Sequence, residues 1–119
     1  MPRFAVLYHD WPAPHFDFLL ENEAALLTWR LSAWPVPRCD ADPFQPVHAE
    51  RIGDHRSIYL DYEGPVSQNR GSVRRIDSGT FVPVDANPDQ VVVLLEGQHG
   101  RCRLTLPATG SGVVGSESP

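Results

Sequence analysis

The stretch His15-Phe16-Asp17-Phe18-Leu19-Leu20-Glu21 carries the clearest structural signal in the chain. Aromatic and polar residues alternate with period two, the pattern of a half-buried strand. Phe16, Phe18 and Leu20 point to one side, and His15, Asp17 and Leu19 to the other. Residues 4–8 read as a preceding strand, joined to it by Asp10-Trp11-Pro12-Ala13-Pro14. Glu21-Asn22-Glu23 is a turn signal, and residues 24–31 read as a strand pairing back. Residues 21–27 are also rich enough in alanine, leucine and glutamate for a helix, but the alternation beside them favours a hairpin.

The same reading extends outward. Residues 34–46 hold four prolines and form a loop. Residues 47–52 read as a short strand, and 54–63 as a turn with a brief strand. Residues 73–76, 80–84, 91–96 and 101–106 read as four more strands, separated by Asp-Ser-Gly, Asn-Pro-Asp and Gly-Gln-His-Gly turns. About eight short strands at this spacing suggest a mainly β domain, an antiparallel barrel or sandwich. It is expected to span residues 1–107, with 108–119, small, polar and glycine-rich, as a disordered tail.

Composition bounds the function. The chain has 119 residues, room for one core. Its 41% hydrophobic and 21% charged content suits a globular domain. The net charge is −5, and all 10 basic residues are arginine. That disfavours a protein that coats nucleic acid through backbone charge. It leaves room for local grip on one phosphate, because arginine offers a bidentate fork. No apolar run reaches membrane-span length, and the N-terminus lacks a secretory pattern, so the expected location is cytoplasmic, without membrane contact. Cys39 and Cys102 lack CxxC spacing and read as free thiols.

Four of the five histidines fall into two groups. His15 and Asp17 leave the same strand face, and His9 ends the preceding strand. If those strands are neighbours, two imidazoles and a carboxylate form a facial set with open positions, suited to a divalent transition metal. A solvated polar strand face with a local hydrogen bond meets the same spacing. The second group is His48, Glu50, Asp54, His55 and Tyr59, where a histidine beside an acid can serve as general acid or phosphate ligand. A polar surface segment is the alternative. Arg3, Arg51, Arg56, Arg70, Arg74 and Arg75 are candidate anion partners. His99 sits in a turn and carries no catalytic expectation.

Taken in order, these residues resemble the 3′-phosphoesterase module of bacterial and archaeal DNA ligase D. That family opens with a strand ending His-Asp, then carries His-Tyr-Asp-Phe-Arg-Leu-Glu; here residues 4–10 read FAVLYHD and 15–21 read HFDFLLE. Its Val-His-Val-Glu-Asp-His and Tyr-x-Asp-Phe-Glu-Gly segments resemble Val47-His48-Ala49-Glu50, Asp54-His55 and Tyr59-Leu60-Asp61-Tyr62-Glu63-Gly64. Its Asp-x-Gly-Thr-Trp resembles Asp77-Ser78-Gly79-Thr80-Phe81. The resemblance implies a small antiparallel β-barrel with minor flanking helix. It implies Mn2+, with Zn2+ or another transition metal as a substitute, at His9, His15 and Asp17. It also implies a phosphate site at His55 with Tyr59 close by; His55, Tyr59 and Glu50 are the candidate catalytic positions, and Arg70, in the shortened loop, is the candidate replacement positive charge at the phosphate. The implied activity trims 3′-phosphate or 3′-ribonucleotide ends of DNA or RNA–DNA primer strands in repair, for a separately encoded ligase or polymerase. Three departures stand out. The family's arginine after Asp-Phe is Leu19 here, the glycine-rich loop is shortened to residues 65–71, and Arg51-Ile52-Gly53 is inserted before Asp54-His55. Losing a charge-assisted anion contact typically costs about 1.5–3 kcal/mol. The alternative reading is therefore a weakened or inactive module that binds metal and phosphate and recognises nucleic-acid ends or a repair partner.

Overall fold

The computed structural model describes residues 2–23, 25–34, 47–98 and 100–117. Residues 35–46, with Cys39, lie outside that set, as does His99. Strands β1 (Arg3–His9) and β2 (His15–Glu21) pair as a hairpin, the neighbour relation on which the convergence of His9 with His15 and Asp17 is conditional. Its register runs from Phe4 opposite Leu20 to His9 opposite His15. β3 (Leu26–Leu31) pairs back on β2, followed by β4 (Val47–His55). Then come a 3₁₀ turn (Ser57–Leu60) and the two-residue β5 (Gly64–Pro65). The chain continues through β6 (Ser72–Ala86), β7 (Gln90–Gly97), β8 (Gly100–Pro107) and β9 (Ser111–Glu117). Every strand pair is antiparallel, in the order β1-β2-β3-β4-β9-β8-β7-β6, and β6 returns to β1. Eight strands therefore close into a barrel, with β5 added at the start of β6. Closure removes the open edges that a sheet of this size would otherwise expose.

The inward faces of all eight barrel strands meet in one core, including Phe4, Phe18, Trp29, Val93, Leu104 and Val114. Phe18 is the hub: its ring lies 6.0 Å from Phe4, 6.1 Å from Trp29 and 5.4 Å from Trp34. The Trp29 indole N–H donates to the Pro107 carbonyl at 2.7 Å, and the Arg51 guanidinium caps that ring at 5.1 Å. A second, smaller cluster lies on the outside of the barrel. Ala5, Leu7, Leu19, Leu26 and Val73 project outward there, and Leu60 of the 3₁₀ turn covers them. Arg3 ties that covering segment down by an ion pair to Asp61 at 2.5 Å, and the guanidinium holds the Asp61 carboxyl below the usual carboxylate range.

Four expectations change. Residues 73–76 and 80–84 are one continuous strand, β6, whose first half pairs with β1 and whose second half pairs with β7. Asp77 is not a turn residue: its buried carboxylate accepts from the Ser78 and Gln98 amides and the Trp34 indole. Gly79 lets the strands cross there, since a Cβ at that position would sit 2.0 Å from the Glu96 carbonyl oxygen. Residues 54–63 hold a 3₁₀ turn in place of a brief strand, because Leu60 has to face the outer cluster. Cys102 is disulfide-bonded, not a free thiol.

The fourth correction concerns residues 108–119, expected to be a disordered tail. Ser111–Glu117 is β9, paired with β4 through Val47–Val114 and with β8 through Thr105–Gly115. Its composition favours disorder in isolation, but two unpaired strand edges supply its backbone hydrogen bonds and Val114 enters the core at 3% exposure. Among the described residues no helix is long and apolar enough to cross a membrane. Deleting residues 109–119 is expected to open the barrel and abolish the cooperative thermal transition, with new binding of a hydrophobic dye. A truncated chain that melts like the full one contradicts closure by β9.

Candidate metal centre and anion cleft

The outward face of the β1–β2 hairpin continues past the apolar cluster into a polar group. Alternation places His9 in line with Ala5 and Leu7, and His15 and Asp17 in line with Leu19. Because His9 is directly opposite His15, the three side chains converge. One ligand atom from each lies within 4.8 Å of the others. His15 Nε2 is 3.3 Å from Asp17 Oδ1, and His9 Nδ1 is 3.7 Å from Asp17 Oδ2. The two imidazole rings meet edge to face at 5.0 Å.

Hydrogen bonds on the far sides of the rings set their tautomers. His15 Nδ1 donates to the Ala13 carbonyl at 2.8 Å, and His9 Nε2 donates to the Arg70 carbonyl at 2.8 Å. In a neutral imidazole this leaves His15 Nε2 and His9 Nδ1 as lone pairs aimed at Asp17. His15 Nε2 and Asp17 Oδ1 are both buried and have no hydrogen-bond partner among the described residues. Leaving a buried polar atom unsatisfied costs about 1–3 kcal/mol. Two acceptors facing each other at 3.3 Å call for a cation between them. Donor atoms about 2.1 Å from a shared ion at near-tetrahedral or octahedral angles stand about 3.0–3.4 Å apart; His15 and Asp17 have this spacing, while the His9 donor, in a group that spans up to 4.8 Å, would have to close in on an ion. The carbonyl partners behind both rings are the usual means of orienting metal-binding histidines.

A cleft of about 280 Å³ opens beside these donors, lined by His9, Asp17, His55, Arg56, Tyr59 and Arg70 among others. His55 arrives through a β-bulge. Thr28 pairs with Ile52 but Leu26 pairs with His55, so β4 carries one extra residue. That residue turns His55, in place of Asp54, onto the same face as the metal donors. His55 Nδ1 donates to the Gly53 carbonyl at 3.3 Å, and Nε2 lies 3.8 Å from Asp17 Oδ2. Tyr59, on the 3₁₀ turn, packs edge-on against the His55 ring at 5.7 Å.

The loop opposite completes the wall. The Arg70 guanidinium donates to the Ser67 carbonyl and hydroxyl at 2.9 and 3.0 Å, while its own carbonyl holds His9. Gly71 has φ +74°, and a Cβ there would lie 2.2 Å from Asp10 Oδ1 and 2.6 Å from Trp11 Cβ. The Asp10 carboxylate in turn accepts from the Ser72 amide at 2.9 Å, lacing the β1–β2 connection to β6.

Residues 8–108 match the DNA ligase D 3′-phosphoesterase domain family. The chain belongs to this family. It is also 33% identical over 86 residues to the multifunctional non-homologous end joining protein LigD of Pseudomonas aeruginosa, a match that covers 70% of this chain and 10% of that protein. The chain thus spans about a tenth of the length of that curated relative. The family is of the DNA-repair phosphoesterase kind and is metal-dependent, in keeping with the His/Asp group on the barrel's outer face.

The structure brings together most of the residues singled out from sequence. His9, His15, Asp17, His55, Tyr59 and Arg70 surround one cleft or its metal donors. Glu50 stands apart. It pairs with Arg30 across β3 and β4 and lines a separate depression with His48 on the other side of His15. Leu19 is fully buried in the outer apolar cluster. Sequence reasoning missed the Ala13 and Arg70 carbonyls, because backbone acceptors leave no residue-type signal. It also did not distinguish Arg56 from the other arginines.

Adding Mn2+ or Zn2+ to chelator-treated protein is expected to raise the melting temperature, by roughly 5–10 °C at a hundredfold excess over Kd. His15→Ala and Asp17→Ala are expected to remove the shift; an equal shift in either variant places the ion elsewhere. Gly71→Ala contributes no donor, yet it displaces the loop whose carbonyl orients His9. Its metal affinity is expected to fall about 10–100-fold by titration, and unchanged affinity would show that the loop does not position the donor.

Proposed function

We propose that this chain is a metal-dependent 3′-phosphoesterase that removes a 3′-phosphate or 3′-ribonucleotide from DNA or RNA–DNA primer ends in repair, within the cytoplasm. Mn2+ is the proposed ion. The observation that carries the reading is the pair of buried, donor-less acceptors, His15 Nε2 and Asp17 Oδ1, beside a cleft lined by His55 and two arginines. A divalent ion held by His9, His15 and Asp17 supplies Lewis-acid polarisation of the phosphate and a more acidic water.

The protein's own groups have separate tasks. His55 is anchored through its Nδ1–H, so in the imidazolium form its Nε2 presents the second proton toward the cleft, and in the neutral form a lone pair. When water attacks phosphorus and the bond to the 3′ oxygen breaks, His55 Nε2 delivers a proton to that oxygen. The products are a 3′-hydroxyl and inorganic phosphate. Removal of a terminal ribonucleoside breaks the ester on the other side of the same phosphate and leaves a 3′-phosphate for the second reaction. Tyr59 holds the His55 ring edge and offers its hydroxyl to the phosphate, and Arg70 adds positive charge at the wall. Glu50, outside the cleft, has no step. The 3′-hydroxyl is the end that a ligase or polymerase consumes, which makes such an enzyme the proposed partner.

A second reading, an end-binding module without turnover, is favoured by one observation. Leu19, where the family's pattern has arginine, is sealed under Leu60 and presents no charge to the cleft.

A primer–template with a 3′-phosphate, incubated with Mn2+ and the folded chain, decides between them. Phosphate release is expected, falling about 10²–10⁴-fold in His55→Ala. End binding with no phosphate release at high enzyme concentration would favour the second reading and sink the first.

A further inference from the structure

The cleft's electrostatics are unlike those of the chain as a whole. Two of its lining residues, Arg56 and Arg70, are cationic, and two, Asp17 and Asp54, are anionic. Asp54 is already matched by Arg51 at 2.8 Å. Asp17 is the carboxylate of the metal-donor set. The two cationic residues differ in what they are free to do. The Arg70 guanidinium is committed to Ser67 through both Nε and a terminal nitrogen. Arg56 has no hydrogen bond or ion pair from its guanidinium to any described residue, and the side chain is exposed at the cleft mouth.

Its backbone is nevertheless fixed. Arg56 is the extended residue that starts the 3₁₀ turn, at φ −70° and ψ 146°, and its carbonyl accepts the Tyr59 amide at 3.0 Å. It follows His55 directly, and Leu60 and the Arg3–Asp61 ion pair hold the same turn against the barrel. A rigidly placed stem with an unengaged planar fork, facing a metal-donor set, suits a tetrahedral dianion. Leu19 is buried and presents no charge to this face, so side-chain positive charge beyond a bound ion has to come from the rim.

We propose that Arg56 is the specificity-determining anion anchor of this cleft: it grips the terminal phosphate of a strand end and makes the site prefer phosphorylated over hydroxyl ends. This rests on reading the cleft as a phosphate-end site, but it concerns binding, separately from turnover. Arg70 shapes the wall and orients His9, while Arg56 makes the direct contact with phosphate oxygens.

The test uses the full metal-loaded chain and a fluorescent oligonucleotide whose 3′ end carries a phosphonate, with carbon in place of the ester oxygen so that it is not hydrolysed. The same oligonucleotide ending in a hydroxyl is the reference. Fluorescence anisotropy is expected to show tighter binding of the phosphonate end by the unaltered protein. Arg56→Ala is expected to lose about tenfold or more of that preference, with a shallower salt dependence. Arg56→Lys should recover part of it as a point charge without the fork. Arg101→Ala, on exposed β8 away from the cleft, is expected to match the unaltered protein. Undiminished preference in Arg56→Ala overturns the proposal, as does an equal loss in Arg101→Ala or the absence of any preference in the unaltered protein. If the preference depends on Arg56 but a true 3′-phosphate is never released, the anchor stands and the phosphoesterase reading falls.

Discussion

An imidazole nitrogen and a carboxylate oxygen face each other across 3.3 Å, buried and without a donor between them. Left alone they repel, and a soft scaffold would let them part or admit water. Here neither is free to move. Asp17 stands on a strand whose other face is buried through Phe18, and His15 is tied through its far nitrogen to the Ala13 carbonyl. Sliding the hairpin by one residue would exchange the core and donor faces altogether. The barrel core therefore holds the strain of the site, and a cation is the simplest group that relieves it.

The polar group and its cleft sit on the outer face of the barrel beside a part of that face that is covered. Most of a small barrel's exterior meets solvent, but the segment from Ser57 to Val66 folds back over β1, β2 and β6. That cover excludes water from Leu7, Leu19 and Leu26 and brings Tyr59 beside His55. It is held by buried Leu60, by partly buried Tyr59, Tyr62 and Val66, by the Arg3–Asp61 ion pair, by the Arg75 amide donating to the Glu63 carboxylate and by the pairing of β5 with β6.

Charge is distributed to the same end. A net charge of −5 opposes general association with nucleic acid. Within the cleft, Arg51 compensates Asp54, and Arg56 and Arg70 face Asp17. Under the proposed function, a divalent ion bound at Asp17 would make this patch positive on an otherwise acidic surface, a charge pattern suited to one terminal phosphate more than to the repeated phosphates of a duplex.

The local pattern was sufficient for some of this and not for the rest. The alternation of residues 15–21 determined the two faces of that strand and put His15 and Asp17 together, because side-chain direction in a strand depends only on sequence parity; that His9 joins them was decided by the pairing of β1 with β2. Short strands separated by turn residues determined the mainly β class. Only the tertiary structure decided that residues 111–117 form the closing strand, since their hydrogen-bond partners are two edges distant in sequence. It also decided that Asp77 lies mid-strand, where amides and an indole N–H from other segments satisfy it. Strict alternation would place His55 on the face opposite Glu50; a bulge reverses it, and bulges depend on how the partner strand packs. The tautomers of the histidines came from carbonyls, which every residue has and no sequence pattern marks. What a chain encodes through side-chain order is local, whereas the pairing of edges, the placing of bulges and the choice of backbone acceptors arise only when distant segments meet.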